Sequence, residues 1–144
     1  MTEKQRMKTY RRPLSPIERL FTRSPFSIVT LVARIRGSVT ESMVRDAVSK
    51  VRQRHPNLRA RVSEDESGTP WLTEEGAGEI QVSAVPRVSD DHWIRVAHES
   101  SRVPFEFETR PAIRFILVHA ADRSDLAIVC HHILCDGLSL AYLA

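Results

Sequence analysis

The stretch that most restricts what this chain can become is Cys130-His131-His132-Ile133-Leu134-Cys135-Asp136-Gly137-Leu138-Ser139, which follows the apolar residues Leu126-Ala127-Ile128-Val129 near the C-terminus. Leu126 to Cys130 has the length and β-branched content of a strand buried on both faces. Packing alone has no use for two imidazoles, an acid and a glycine at the end of such a strand. An imidazole titrates near neutrality, so at a strand mouth it can take a proton from a hydroxyl, amine or thiol and return it later. Asp136, four positions after His132, suits either orienting that ring or fixing the turn, and Gly137 lets the backbone turn sharply or approach a ligand.

His131, His132, Asp136 and Gly137 together resemble the His-His-x-x-x-Asp-Gly motif of the superfamily that contains chloramphenicol acetyltransferase, the condensation domains of nonribosomal peptide synthetases and related acyl-CoA-dependent acyltransferases. Ser139 stands where condensation domains often carry Ser. Two further segments occur in the right order. Arg54-His55-Pro56-Asn57-Leu58-Arg59 is similar to the family's Arg-His-x-x-Leu-Arg segment. Leu14-Ser15-Pro16-Ile17-Glu18-Arg19-Leu20-Phe21 resembles its opening segment, about one residue shorter than the condensation-domain version. Pro104-Phe105 and Arg110-Pro111 match a further pattern in part, Arg110 replacing the family's glycine.

The resemblance implies a mixed, largely antiparallel sheet flanked by helices, an α/β (α+β) arrangement, with this chain covering the N-terminal lobe of a two-lobed fold whose active site lies in the tunnel between lobes. It implies that His132 is the general base of an acyl transfer from a thioester to a hydroxyl or amine, with no acylated side chain. His131 is then structural, and Asp136 is a structural acid whose arginine partner is Arg59. No cofactor is held permanently; the co-substrate is acyl-CoA or a phosphopantetheinyl thioester on an acyl or peptidyl carrier protein. The lobe that completes the tunnel comes from elsewhere, as a downstream segment or a second subunit. The absence of a G-x-S-x-G elbow agrees with a mechanism lacking a covalent intermediate.

At 144 residues the chain is one domain at most, read as a flexible basic tail over 1–12 and the lobe over 13–144. Much of the net charge of +3 comes from Lys4, Arg6, Lys8, Arg11 and Arg12, a solvated tail in preference to a nucleic-acid arm. No secretory signal follows the tail, and Phe26 to Ile35 is too short to span a membrane, so the expected location is cytoplasmic. A methionine start without a preceding linker favours a free-standing enzyme over a synthetase module. The two cysteines, Cys130 and Cys135, imply reduced thiols and no disulfide framework.

Periodicity predicts a first strand over Phe26 to Ile35, then a helix started by Thr40 or Ser38 and stopped by Pro56, burying Met43, Val44, Ala47, Val48 and Val51. A second strand is expected at Leu58 to Val62, a solvated acidic turn at Glu64-Asp65-Glu66, a short strand around Trp71-Leu72 and another over Glu79 to Val85. A second helix capped by Ser89 or Asp90 is expected to bury Trp93, Ile94, Val96, Ala97 and Val103. Arg110 to His119 and Leu126 to His131 read as antiparallel neighbours, and a last helix begins at Gly137.

Plainer readings stand beside the catalytic one. Asp136 suits an N-cap of the last helix, and His55 suits a cation near a helix C-terminus. Arg52, Arg54, Arg59 and Arg61 suit a solvated face plus one structural ion pair. A metal site is disfavoured: in a continuing strand Cys130 and His132 share a face that His131 opposes, and no second Cys/His pair has zinc-finger spacing. A lobe that only binds a carrier protein or other partner is the alternative to an enzyme.

Overall fold

A computed structural model describes residues 9–135 and 137–144. In chain order the elements are β1 (Arg11–Pro13), α1 (Pro16–Phe21), β2 (Ile28–Arg36), α2 (Glu41–Arg54), a 3-10 turn (Pro56–Arg59), β3 (Arg61–Glu64), β4 (Pro70–Thr73) and β5 (Gln81–Pro86). They continue with α3 (His92–Ser101), β6 (Ile113–His119), β7 (Arg123–His131) and α4 (Gly137–Leu143). The main sheet runs β2-β7-β6-β5, with β5 and β6 parallel and the other pairs antiparallel; β1-β4-β3 form a second, wholly antiparallel sheet.

Strand β7 is central, paired along its whole length with β2, and its side chains divide the core in two. Ile128 and Cys130 pack on one face with Phe115 and Leu117 of β6 and with Val44 and Val48 of α2. Ala127 and Val129 pack on the other with Val96 of α3, Phe105, Phe107 and the small sheet's Val62 and Leu72. Such two-sided burial is what a near-continuous apolar strand requires. Among the described residues, no helix is long and apolar enough to cross a membrane.

Local chemistry sets the helix starts. Thr40 caps α2, its Oγ1 accepting from the Met43 amide at 3.2 Å. Ser15 and Glu18 close a reciprocal capping box on α1: Ser15 Oγ accepts from the Glu18 amide at 3.3 Å and Glu18 Oε2 from the Ser15 amide at 2.7 Å.

Several expectations need correction. Residues 10–12 are no loose tail. Arg11 and Arg12 belong to β1; Arg11 lies over the Trp71 ring, 4.3 Å from its centroid, and Arg12 forks onto Glu18 at 2.8 and 2.7 Å. The earlier part of the expected tail, residues 1–8, lies outside the described residues. The expected strand at Leu58 to Val62 starts later, because Pro56 opens a 3-10 turn that buries Leu58 before β3 begins.

The acidic turn is not simply solvated. Asp65 Oδ1 accepts from the amides of Ser67 and Thr69, Oδ2 accepts from Trp71 Nε1, and these bonds, led by that from the Ser67 hydroxyl, push its carboxyl below its ordinary range. Helix α3 begins one residue late, with Asp91 at the cap, and is rotated from the expected phase. His92 and Val96 face inward while Ile94 and Val103 are exposed. In α2, Met43 is likewise exposed.

Candidate active site at the end of the central strand

Strand β7 ends at His131, and a turn begins at His132. The alternation that set the two imidazoles on opposite faces therefore stops between them, and both rings meet the same side chain. Phe21, the last residue of α1, stacks on His132 with centroids 5.2 Å apart and planes 17° from parallel. It meets His131 edge-on at 6.5 Å and 88°.

His131 is sealed, at 0% exposure. Its Nε2 lies 2.6 Å from the Ser24 carbonyl, and its Nδ1 lies 3.1 Å from the Ile133 amide. A carbonyl only accepts and an amide N–H only donates, so Nε2 carries the proton, Nδ1 is bare and the ring is neutral. Phe107 at 4.6 Å and Phe105 at 6.2 Å close the remaining space. Burial pushes the His131 pKa down, reinforced by the neighbouring His132 and partly opposed by the bond to Ser24.

His132 differs in every respect but its backbone. Its amide donates to the Ser27 carbonyl at 2.9 Å, which anchors the turn to the chain entering β2. Its side chain is half-buried, and among the described residues neither ring nitrogen has a hydrogen-bond partner. An imidazole held by its face with its nitrogens unspent is chemically available.

The other candidates divide. Gly137 is the first residue of α4. Asp136, given the roles of orienting acid, structural acid or N-cap, lies outside the described residues. Among the described residues Arg59, its expected partner, has its Nε paired with Glu74, and its Nη1 donates to the Arg52 carbonyl and, at 3.1 Å, to that of Gln53. These bonds tie the 3-10 turn to the last carbonyls of α2. His55 caps the C-terminus of α2, its amide donating to Val51.

Cys130 is buried, and its thiol is pushed up by a hydrogen bond with Cys135 and then by burial, so neither the position nor the chemistry makes it a nucleophile. Among the described residues no three His, Cys, Asp or Glu side chains converge as a metal-binding group.

The sequence reading passed over the residues that build the surroundings: Phe21, Phe105, Phe107 and the carbonyls of Ser24 and Ser27. For Phe21 and Phe105 a signal existed, since Phe21 ends the segment Leu14 to Phe21 that resembles the family's opening motif and Phe105 belongs to the Pro104-Phe105 pair that matches a further pattern. Phe107 also lines, with Thr22, Arg23, Val62 and Glu64, a polar pocket of about 580 Å³; a separate pocket of about 340 Å³ is lined by His55, Leu134 and Cys135, and His132 lines neither.

Comparison with known proteins bears on the fold and the family. Cyclosporin synthetase simA of Tolypocladium inflatum is 29% identical over 115 residues, 78% of this chain and 1% of the synthetase. Nonribosomal peptide synthetase agiA of Aspergillus flavus is 28% identical over 130 residues, 88% of this chain and 2% of that protein. The chain thus spans a very small part of the curated relatives it matches. Among solved structures, the starter condensation domain of rhizomide synthetase RzmA superposes with a TM-score of 0.78 at 14% identity, covering 93% of this chain and 35% of that one. The shared fold is the N-terminal lobe of that two-lobed domain. The family model for the condensation domain matches residues 14–144, from the Leu14 segment through the histidine pair to the end of α4, and the chain belongs to the condensation domain family.

Proposed function

We propose that this chain supplies the general base of an acyl transfer, in which a thioester donor passes its acyl group to an amine or hydroxyl acceptor. A ring nitrogen of His132 takes the acceptor's proton as the acceptor nitrogen or oxygen attacks the thioester carbonyl carbon. The tetrahedral intermediate collapses, the carbon–sulfur bond breaks, and the departing thiolate recovers the proton from the imidazolium. No side chain is acylated and no resident cofactor is needed. The thioester sits on coenzyme A or on the phosphopantetheine of a carrier protein, and the synthetase relatives favour the carrier protein. A second lobe, in the same polypeptide or a partner subunit, closes the other side of the site.

The observation that carries this reading is the contrast between neighbouring imidazoles, one with both nitrogens committed and the other with neither committed among the described residues. A base of this kind contributes about two to four orders of magnitude in rate. The test is transfer by the full-length gene product, supplied with acyl-CoA or an acylated carrier protein and an amine acceptor. His132→Ala is expected to lower turnover by about 100-fold or more with the fold intact by circular dichroism. Transfer at the wild-type rate by this variant would remove His132 as the base, and no transfer by the wild type would leave a lobe that binds a carrier protein without catalysing anything.

A further inference from the structure

The His132 backbone is anchored, but a main-chain hydrogen bond leaves χ1 and χ2 of the imidazole free to choose among rotamers. Proton abstraction needs one of them. The contact that selects a ring plane is the Phe21 stack, 5.2 Å between centroids and 17° between planes. We propose that Phe21 is a positioning residue for His132, its ring fixing the imidazole plane so that a nitrogen faces the acceptor; this rests on the reading of His132 as the base.

The placement of Phe21 is itself determined. Helix α1 has no buried residue, and half-buried Phe21 packs against the core beside Tyr10 and Ile28. The helix is held at its start by the Ser15 and Glu18 capping box and by Arg12 forked onto Glu18. It is held at its end where the Ser24 amide donates to the Phe21 carbonyl at 3.0 Å. Ser24 in turn offers its carbonyl to His131 Nε2, and Ser27 offers its own to the His132 amide. Within seven residues the chain thus grips both histidines, one through its imidazole nitrogen and the other through its backbone, with Phe21 stacked on the His132 ring and edge-on to that of His131. The stack also covers one face of the His132 imidazole with a side chain that neither donates nor accepts a conventional hydrogen bond, so the in-plane nitrogens stay open.

The test compares Phe21→Leu and Phe21→Trp with wild type in the full-length gene product, reading transfer kinetics and the carbon-bound ring protons of His132 by NMR, assigned through their disappearance in His132→Ala. The His131 Nε2 proton, shielded from exchange by its bond to Ser24, serves as the fold control. In wild type the stacked ring shifts the His132 protons upfield. Phe21→Leu is expected to abolish that shift and lower kcat by about 10- to 100-fold with KM unchanged, and Phe21→Trp to restore both. A Leu variant with wild-type kcat, or a loss that Trp does not restore, overturns the positioning role. Absence of transfer by wild type would bring down the base reading instead. The ring protons would still judge the contact: an upfield shift lost in Leu and regained in Trp upholds it, and an unshifted wild-type signal overturns it.

Discussion

The two ends of strand β7 both carry charge-capable side chains, and they are treated in opposite ways. At the start, Asp125 is 1% exposed and saturated: Oδ1 accepts from Arg34 Nε at 2.8 Å and Oδ2 from Arg87 Nη2 at 2.6 Å. Arg34 lies directly opposite it on β2, and both arginines also reach Asp90 ahead of α3. At the other end, His131 is saturated too, while His132 keeps both ring nitrogens clear of every described donor and acceptor. A buried polar group with all its partners in place specifies structure, and one presented with its valences open is available for chemistry. The acid and the first histidine therefore belong to the fold, and the second histidine is the departure from it.

If that division holds, damage at the two ends should register in different measurements. Asp125→Ala leaves Arg87, whose side chain is 8% exposed, without its main counter-charge. Removing one partner of a buried pair costs about 3 to 5 kcal/mol, and partial exposure of Arg34 places this case near 3 kcal/mol. Urea unfolding should show that loss, whereas His132→Ala should leave the unfolding midpoint close to wild type. Equal destabilisation by the two substitutions would erase the comparison.

A smaller effect separates the histidines by pH. The His131 pKa is lowered in the native state from its ordinary value of 6.5, chiefly by burial. Below that value the unfolded chain takes up a proton that the folded chain refuses. Stability from this group is therefore complete above 6.5 and is lost as pH falls from 6.5 toward the native pKa. The acid-side slope of stability against pH should be shallower in His131→Phe than in wild type. A slope that survives the substitution unchanged would assign the acid sensitivity to another group.

The sequence made the strand and its motif legible because each depends on neighbours in the chain. Leu126 to Cys130 is apolar on both faces, and the polar turn before it predicts the antiparallel return. What it could not show depended on residues far apart in sequence. Arg59 meets Glu74 fifteen positions away, and His131 meets Ser24 across 107 positions. The burial on α3 shares that origin: His92 is buried with Val96, and the Asp90 carbonyl just ahead of the helix accepts from Arg34, 56 positions earlier in the chain. Likewise the strand's alternation implied opposed imidazoles, but β7 ends between them, and a turn dictated by bonds to Ser24 and Ser27 brings both to Phe21.

The mildest perturbation tests how that delivery is secured. Glu18 accepts from the Ser15 amide and from both terminal nitrogens of Arg12, and these contacts, the Arg12 bonds foremost, hold its carboxyl at about 2, down from 4.5. Glu18→Gln keeps an oxygen for the capping box but loses the charge and the paired acceptors for Arg12. Because the pair is partly exposed, the expected cost is about 1 kcal/mol in urea unfolding. The sign follows from the depressed native pKa: the contribution is fully present above about 4.5 and is lost as pH falls toward about 2. The gap between wild type and Glu18→Gln should narrow over that range. A gap that stays constant across it would mean that the carboxylate charge does not tether α1, and the Phe21 ring would then owe its place over His132 to its packing against the core alone.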